Sequence, residues 1–388
     1  MSGMKTIAID IRLIGRNRTG DEAVFLNLTR ELLRIDRENR YLLLTDRNGR
    51  DVLSDLSVSL GITENGNAEI VPLPGANRFF WNLLSVPFFL LRNQIDIFHT
   101  QYILPIFIPK RTKVVAHIHD VSFRTFPDLI GRKDRLLLSF FIPKTCRRSD
   151  ILVSPSEFTR REIVERYGIP KEKVAVVPNA VSPDFLRSVS DIEIVRVRRK
   201  YGLPEKFLLS VGTLQPRKNL PLLIRAFARI RDRIPGFQVV LTGNRLAHHF
   251  DAGIDAAIDE THLGSAVVFP GFIEQVDLPA VYASATGLVF PSRYEGFGIP
   301  ILEAFSAGIP VSASNIPPFR EVGGDAVLFF APGDIVGCAE SLYTLLTNET
   351  TRERLKQLGR ERLPEYSWEK SARVLFSCYE SLHEGKQR

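Results

Sequence analysis

Cysteine is scarce in this sequence, and the scarcity removes two structural classes. Cys146, Cys338 and Cys378 are its only three among 388 residues, and no CxxC or Cys/His spacing surrounds them. A disulfide framework and a structural zinc site both lack support, so a reducing cytoplasm is the expected compartment. No apolar run approaches the roughly 18 to 20 uncharged residues that span a bilayer. The chain passes from Met1 straight into a strand-like segment, Lys5–Ile11, carrying Asp10, which is unlike a signal peptide. Neither GxGxxG after a first strand nor GxxxxGK(S/T) occurs anywhere. That argues against NAD dehydrogenases and P-loop NTPases, whose glycines let backbone approach phosphate closely.

What is present fits an ordinary globular protein. Hydrophobic residues make up 44% and charged residues 24%, so disorder is not expected. The length suits two domains of about 150 to 200 residues. An excess of 51 Lys+Arg over 44 Asp+Glu gives a net charge of +7. Such a balance favours anionic partners, whether phosphates, acidic lipids or nucleic acid, without choosing among them.

Hydrophobic patterning predicts seven strands in the first half: Lys5–Ile11, Tyr41–Thr45, Glu69–Pro72, Asp96–Thr100, Lys113–Ile118, Asp150–Ser154 and Val174–Val177. Val24–Ile35 and Phe158–Tyr167 show helical spacing, the latter started by Ser156 as N-cap and stopped by Gly168. The second half repeats the scheme. Strands are predicted at Lys206–Gly212, Phe237–Thr242, Ala266–Phe269, Gly287–Pro291 and Pro310–Ser314, and helices at Leu220–Arg233, Leu278–Ala283 and Ile301–Ala307. Strands alternating with helices imply parallel sheets covered on both faces. The polar segment Ser182–Arg199 is read as a hinge. The expectation is an N-terminal domain over 1–185, a C-terminal domain over 186–367 and a terminal helix over 368–388 that crosses back to the N-terminal domain.

The most informative stretch is Pro291-Ser-Arg-Tyr-Glu-Gly-Phe-Gly-Ile-Pro-Ile-Leu-Glu303. A strand ends near Pro291, and a loop with Gly296 and Gly298 turns into a helix opening at Pro300. Proline is tolerated there because its missing N–H would have been unpaired anyway. Free N–H groups and the positive helix end favour an anion such as pyrophosphate, and the glycines admit it closely. Glu295 and Glu303 can each accept paired hydroxyl hydrogen bonds. Spacing alone is equally compatible with two solvated charges beside a βα turn.

Glu295-Gly-Phe-Gly-Ile-Pro-Ile-Leu-Glu303 resembles the signature of the family 4 retaining glycosyltransferases, two glutamates separated by seven residues. Gly212-Thr-Leu-Gln-Pro-Arg-Lys-Asn219, His119-Asp120 with the aromatic turn to Pro127, Val177-Pro-Asn179, Gly271-Phe272 and Asp277-Leu-Pro-Ala-Val-Tyr282 match that family's other motifs in order. The resemblance implies a GT-B fold of the α/β class: two Rossmann-like doubly wound domains facing across a cleft, closing about the hinge. It makes Arg217 and Lys218 the cations that neutralise the donor diphosphate, with Gly212 beside them. Glu303 would bind ribose hydroxyls, and Glu295 the transferred sugar or the phosphate region. Backbone at Gly296, Phe297, Gly298 and Ile299 would contact sugar and pyrophosphate, the Phe272 region the base, and His119 the reacting centre. Taken alone, Arg217-Lys218 would read as a solvated basic pair, and Asp120 as a turn cap.

Two departures from the family pattern stand out. Where relatives carry a second loop glycine, the run Arg18-Thr-Gly-Asp-Glu-Ala23 keeps Gly20, which the resemblance makes a donor contact, but places Glu22. Acids there would repel a pyrophosphate unless turned away, so Asp21, Glu22 and Asp120 are assigned to the acceptor side. Thr213 stands where some relatives place arginine, which gives Arg217 more of the anion binding. No DxD is placed to hold magnesium, so neither a metal nor any other cofactor is expected. The Gly-Thr-Leu-x-Pro-Arg-Lys-Asn variant resembles mannosyltransferases of surface-polysaccharide assembly. GDP-mannose is therefore the favoured donor and a UDP-sugar the alternative, with a glycan or lipid-linked acceptor and no nucleic acid. A nucleotide-sugar epimerase, a phosphorylase and a non-catalytic sugar-nucleotide scaffold are the rival readings.

Two apolar segments with basic residues, Arg78–Arg92 and Arg132–Arg148, pose a separate question. They suit either helices of the N-terminal core or an anionic membrane surface on the cytoplasmic side.

Overall fold

The structure is a computed structural model that describes residues 4–16, 20–62, 66–75, 77–127, 131–246 and 249–384. The chain divides into two compact units. The first comprises residues 1–124, 133–180 and 367–388, the second 125–132 and 181–366.

Seven parallel strands form the sheet of the first unit: β1 (Thr6–Asp10), β2 (Arg40–Thr45), β3 (Ala68–Pro72), β4 (Ile97–Gln101), β5 (Lys113–His117), β6 (Ile151–Ser154) and β7 (Val174–Val176). Their spatial order is β3-β2-β1-β4-β5-β6-β7. The second unit holds six: β8 (Lys206–Ser210), β9 (Phe237–Leu241), β10 (Val267–Val268), β11 (Gly287–Phe290), β12 (Val311–Ser314) and β13 (Val327–Phe330), in the order β10-β9-β8-β11-β12-β13. All pairings are parallel, with Ile9 opposite His99 in the first sheet and Leu288 opposite Leu209 in the second. Strand order reverses between β1 and β4, and again between β8 and β11. Ligands of open α/β sheets collect outside the carboxyl ends of strands at such reversals.

The doubly wound expectation holds, because central strands buried on both faces must be near-continuous apolar runs. Phe207, Leu208 and Leu209 in β8 and Leu288, Val289 and Phe290 in β11 are all buried. Helix boundaries follow local chemistry. Ser156 accepts the Thr159 N–H to open the helix Glu157–Tyr167, and Gly168 closes it at φ 62°.

The segment read as a hinge, Ser182–Arg199, contains a 3-10 turn at Pro183–Leu186 and most of a helix, Asp191–Tyr201. Ser190 and Glu193 form a reciprocal capping box, and the charges that made the segment look like a hinge lie largely on the solvated side of the helix. Arg196, Lys200 and Tyr201 from this helix converge on the buried carboxylate of Asp277. The terminal helix Trp368–Glu384 belongs to the first unit and packs on the helix Asp21–Ile35.

Candidate active site

The second unit assembles a charged cluster at its strand reversal. After β8 the chain passes through Gly212, at φ 144°, into a 3-10 turn, Pro216–Lys218. A Cβ at Gly212 would lie 3.1 Å from Lys218 Cε, and one at Gly243 would lie 2.5 Å from the Gly212 carbonyl oxygen. These two glycines therefore allow the lysine stem and the next loop to pack directly on backbone. After β11, the Arg293 N–H donates to the Arg217 carbonyl over 2.8 Å, stitching the two loops together.

That stitch brings Glu295 to both cations. Its Oε1 lies 2.7 Å from Arg217 Nη1 and 2.6 Å from Lys218 Nζ, and accepts the Ser292 hydroxyl at 2.9 Å. Burial pushes the Glu295 carboxyl up, but Arg217 and Lys218 outweigh it and hold it at about 2. The trio carries one net positive charge, set beside the glycine loop and the start of the helix Ile299–Ser306. Thr213 Oγ1 is buried nearby in sequence and has no hydrogen-bond partner among the described residues.

Glu303 sits in a different environment. It lies one turn into the helix Ile299–Ser306, which opens with Pro300 after Gly298 at φ 128°. A Cβ on Gly298 would meet Phe319 Cδ1 at 3.0 Å, so the turn needs glycine for both dihedral and space. Glu303 Oε2 accepts the buried Tyr282 hydroxyl at 2.5 Å. Burial raises this carboxyl to about 7, against the opposing pull of the Tyr282 hydroxyl and the more distant Lys218. Burial, with Glu303 next, raises Tyr282 in turn.

Phe297 points its ring into the core, 5.7 Å from the Tyr366 ring. Gly296 is buried, and Ile299 begins the helix. Phe272 is 54% exposed, following Gly271, whose carbonyl accepts the Gly243 N–H. Five of the expected donor-side residues (Gly212, Arg217, Lys218, Glu295 and Glu303) thus surround one strand reversal.

The first unit places a second group at its own reversal. His119 follows β5, and its Nε2 is 2.9 Å from Gln101 Oε1 at the end of β4. Asp21 Oδ1 lies 4.0 Å from His119 Nδ1. Behind His119 the imidazoles of His117 and His99 stack in turn, with centroid separations of 4.2 and 6.3 Å. His99 Nδ1 meets the Tyr379 hydroxyl of the terminal helix at 2.7 Å. Burial holds His99 at about 3 and lowers His117 as well, with neighbouring imidazoles adding to the effect, so both stay neutral.

The acids assigned to the acceptor side separate in role. Glu22 Oε1 accepts the Gly15 and Arg16 N–H groups at 2.6 and 3.2 Å and so closes the loop after β1. Asp120 Oδ1 accepts the Ser122 N–H at 2.9 Å, as a turn cap does. Asp21 opens a helix after Gly20, at φ 66°, and forms the 4.0 Å approach to His119; Arg18 and Thr19 of the same run lie outside the described residues. Motif reading missed Gln101, Ser292 and the Tyr282–Glu303 pairing. Tyr282 stood in a quoted motif, but only the fold shows which side chain meets it.

Residues 193–362 match the family described as Glycosyl transferases group 1, and residues 19–185 match Glycosyltransferase Family 4. O-antigen chain mannosyltransferase B of Escherichia coli is 30% identical over 283 residues, 71% of this chain and 72% of that protein. The serotype-specific mannosyltransferase WbdA of Escherichia coli is 30% identical over 247 residues, 62% of this chain but 30% of the longer WbdA. Among solved structures, sucrose-phosphate synthase from Thermosynechococcus elongatus superposes with TM-score 0.74 at 20% identity, covering 98% of this chain and 100% of that one. Anabaena HepE in complex with UDP-glucose gives 0.74 at 17% identity, covering 97% and 100%. At such identities these structural matches speak for the fold, GT-B.

Proposed function

From the premise that this chain belongs to the family 4, group 1 glycosyltransferases, we propose that it moves a hexose from a nucleotide-diphosphate sugar to a glycan or lipid-linked acceptor, retaining anomeric configuration and needing no metal ion. Mannose from GDP-mannose is the leading donor, supported by the two mannosyltransferase relatives. A UDP-sugar is the alternative, supported by the UDP-glucose complex of HepE. A cytoplasmic location agrees with three unpaired cysteines, and among the described residues no helix is long and apolar enough to cross a membrane.

The observation that carries the reading is the Arg217–Lys218–Glu295 cluster at the β8/β11 reversal. As the glycosidic bond breaks, negative charge grows on the β-phosphate oxygens. Two cations already fixed in place stabilise that charge more than the ground state. With them and the adjacent helix N-terminus supplying positive potential, a magnesium ion is not required for the leaving group. The acceptor hydroxyl attacks from the face the diphosphate leaves, its oxygen bonding the anomeric carbon while its proton passes to the departing phosphate oxygen. Glu303 would accept the ribose hydroxyls, and Glu295 would exchange part of its pairing with the cations for a sugar hydroxyl. A non-catalytic scaffold would bind nucleotide without turnover.

A thermal-shift panel of GDP, UDP, ADP and their common sugars, with and without EDTA, tests the proposal. Stabilisation by one nucleotide that persists in EDTA is expected, followed by donor consumption in an acceptor screen. Stabilisation abolished by EDTA would overturn the metal-free site, and binding without turnover on any acceptor would favour the scaffold.

A further inference from the structure

The Arg78–Arg92 segment is neither a core helix nor a simple surface helix. It runs as a short helical turn Arg78–Phe80, a π-turn Trp81–Ser85 and a helix Val86–Arg92. One side is buried through Trp81, Val86 and Leu90, and Trp81 Nε1 donates to Asp10 Oδ2 at 3.0 Å, fastening the segment to the end of β1. The other side presents Phe79, Leu84, Phe88 and Leu91, each more than half exposed. A rigidly anchored element that shows four large apolar side chains to solvent is unusual for a surface without a partner.

The patch continues into the next loop. The Ile106 N–H donates to the Asn82 carbonyl at 3.1 Å, setting exposed Ile106 and Phe107 beside the π-turn. Arg148 Nη1 donates to the Ile106 carbonyl at 2.9 Å, and Arg111 Nη2 to the Asn93 carbonyl at 3.0 Å, so two cations border the apolar surface. Arg92 lies 3.8 Å from the Phe88 ring centroid. From residue 78 to 111 the sequence carries Arg78, Arg92, Lys110 and Arg111 against a single acid, Asp96, which accepts the Thr6 N–H at 2.9 Å.

We infer that this face docks on an anionic lipid surface, with Phe79, Leu84, Phe88, Leu91, Ile106 and Phe107 entering the headgroup boundary and the bordering arginines meeting lipid phosphates. Charge chooses among occupants. A second copy joined by two-fold symmetry would set the same patch against itself and oppose cation to cation. Anionic headgroups complement both the apolar face and its basic rim. The purpose of the surface rests on the lipid-linked acceptor proposed above, whereas its lipid binding does not.

Flotation of the full chain with vesicles of phosphatidylcholine, alone or mixed with phosphatidylglycerol, tests it. Binding is expected only with phosphatidylglycerol and should weaken as salt rises. Leu84→Ser/Phe88→Ser should lower it by at least ten-fold, and Arg92→Glu, a change of two charge units, by roughly 25-fold, taking about five-fold per unit of charge near the surface. Both variants should keep the parent melting temperature and nucleotide-induced shift, which separates this inference from the donor-site reading. No binding to phosphatidylglycerol vesicles, unchanged binding by the serine variant, or dimerisation in solution abolished by that variant would overturn it.

Discussion

Glu295 and Glu303 show how little spacing says about electrostatics. Eight positions apart, one carboxyl is held at about 2 by two cations while the other is raised to about 7 by burial. The motif identified both residues; their opposite protonation was not legible, because it depends on Arg217, Lys218 and Tyr282 arriving from other elements. The difference can be measured without substrate. The folded chain holds the Glu303 proton more tightly than the unfolded chain, whose value is near 4.5. This contribution to stability is complete below pH 4.5 and is lost as pH rises through about 7. Glu303→Gln is always neutral and keeps an acceptor for Tyr282, so it removes that dependence. The melting temperature of the parent minus that of the variant should therefore fall between those pH values. A loss of about 1 kcal/mol corresponds to roughly 2 to 4 °C at this domain size. A difference that stays level across the window would mean that Glu303 ionises as an ordinary carboxylate.

At the scale of elements, twelve of the thirteen strands among the described residues were readable, since buried parallel strands advertise themselves as short apolar runs between breakers. The exception, β13 (Val327–Phe330), is a four-residue run that closely follows a glycine pair and has no strand predicted for it. Helices such as Arg50–Leu60 and Glu349–Arg362 were missed because few of their residues are buried, which leaves a faint apolar stripe. The terminal helix Trp368–Glu384 was expected to return to the N-terminal domain, but the residues that it meets there were not legible. Ser371 Oγ donates to the Pro178 carbonyl at 2.5 Å, Arg34 pairs with Glu369 at 3.1 Å, and Tyr379 reaches His99 in the core of the first unit. Tyr379→Phe would leave His99 Nδ1 without its partner in a dry site, a loss of about 1 to 3 kcal/mol. Chemical denaturation should show that loss, while the nucleotide-induced shift of the second unit persists. A variant as stable as the parent would mean that the 2.7 Å contact contributes nothing.

The two sheets of the whole molecule share one topology and carry different chemistry at their reversals. In the second unit, Arg217 and Lys218 against Glu295 leave positive charge, which suits a diphosphate. In the first, His119 stands with Gln101 and Asp21, a set of donors and acceptors better matched to hydroxyl groups than to phosphate. Repeated topology came through in the sequence as repeated patterning, and the asymmetry of charge came through in the motifs. If the second unit alone holds the nucleotide, substitutions in the two units must separate in a binding titration. Arg217→Ala removes a charge-assisted contact to phosphate and should weaken the bare nucleotide diphosphate by about 10- to 100-fold, from 1.5 to 3 kcal/mol. His119→Ala should leave that affinity within about two-fold and lower turnover of the sugar nucleotide by the 10²- to 10⁴-fold typical of a group acting at the reacting centre. Calorimetry with the bare nucleotide and a turnover assay with its sugar would read the two effects independently. Equal loss of nucleotide affinity in both variants would show that the first unit grips the diphosphate too, and the division of labour between the sheets would have to be abandoned.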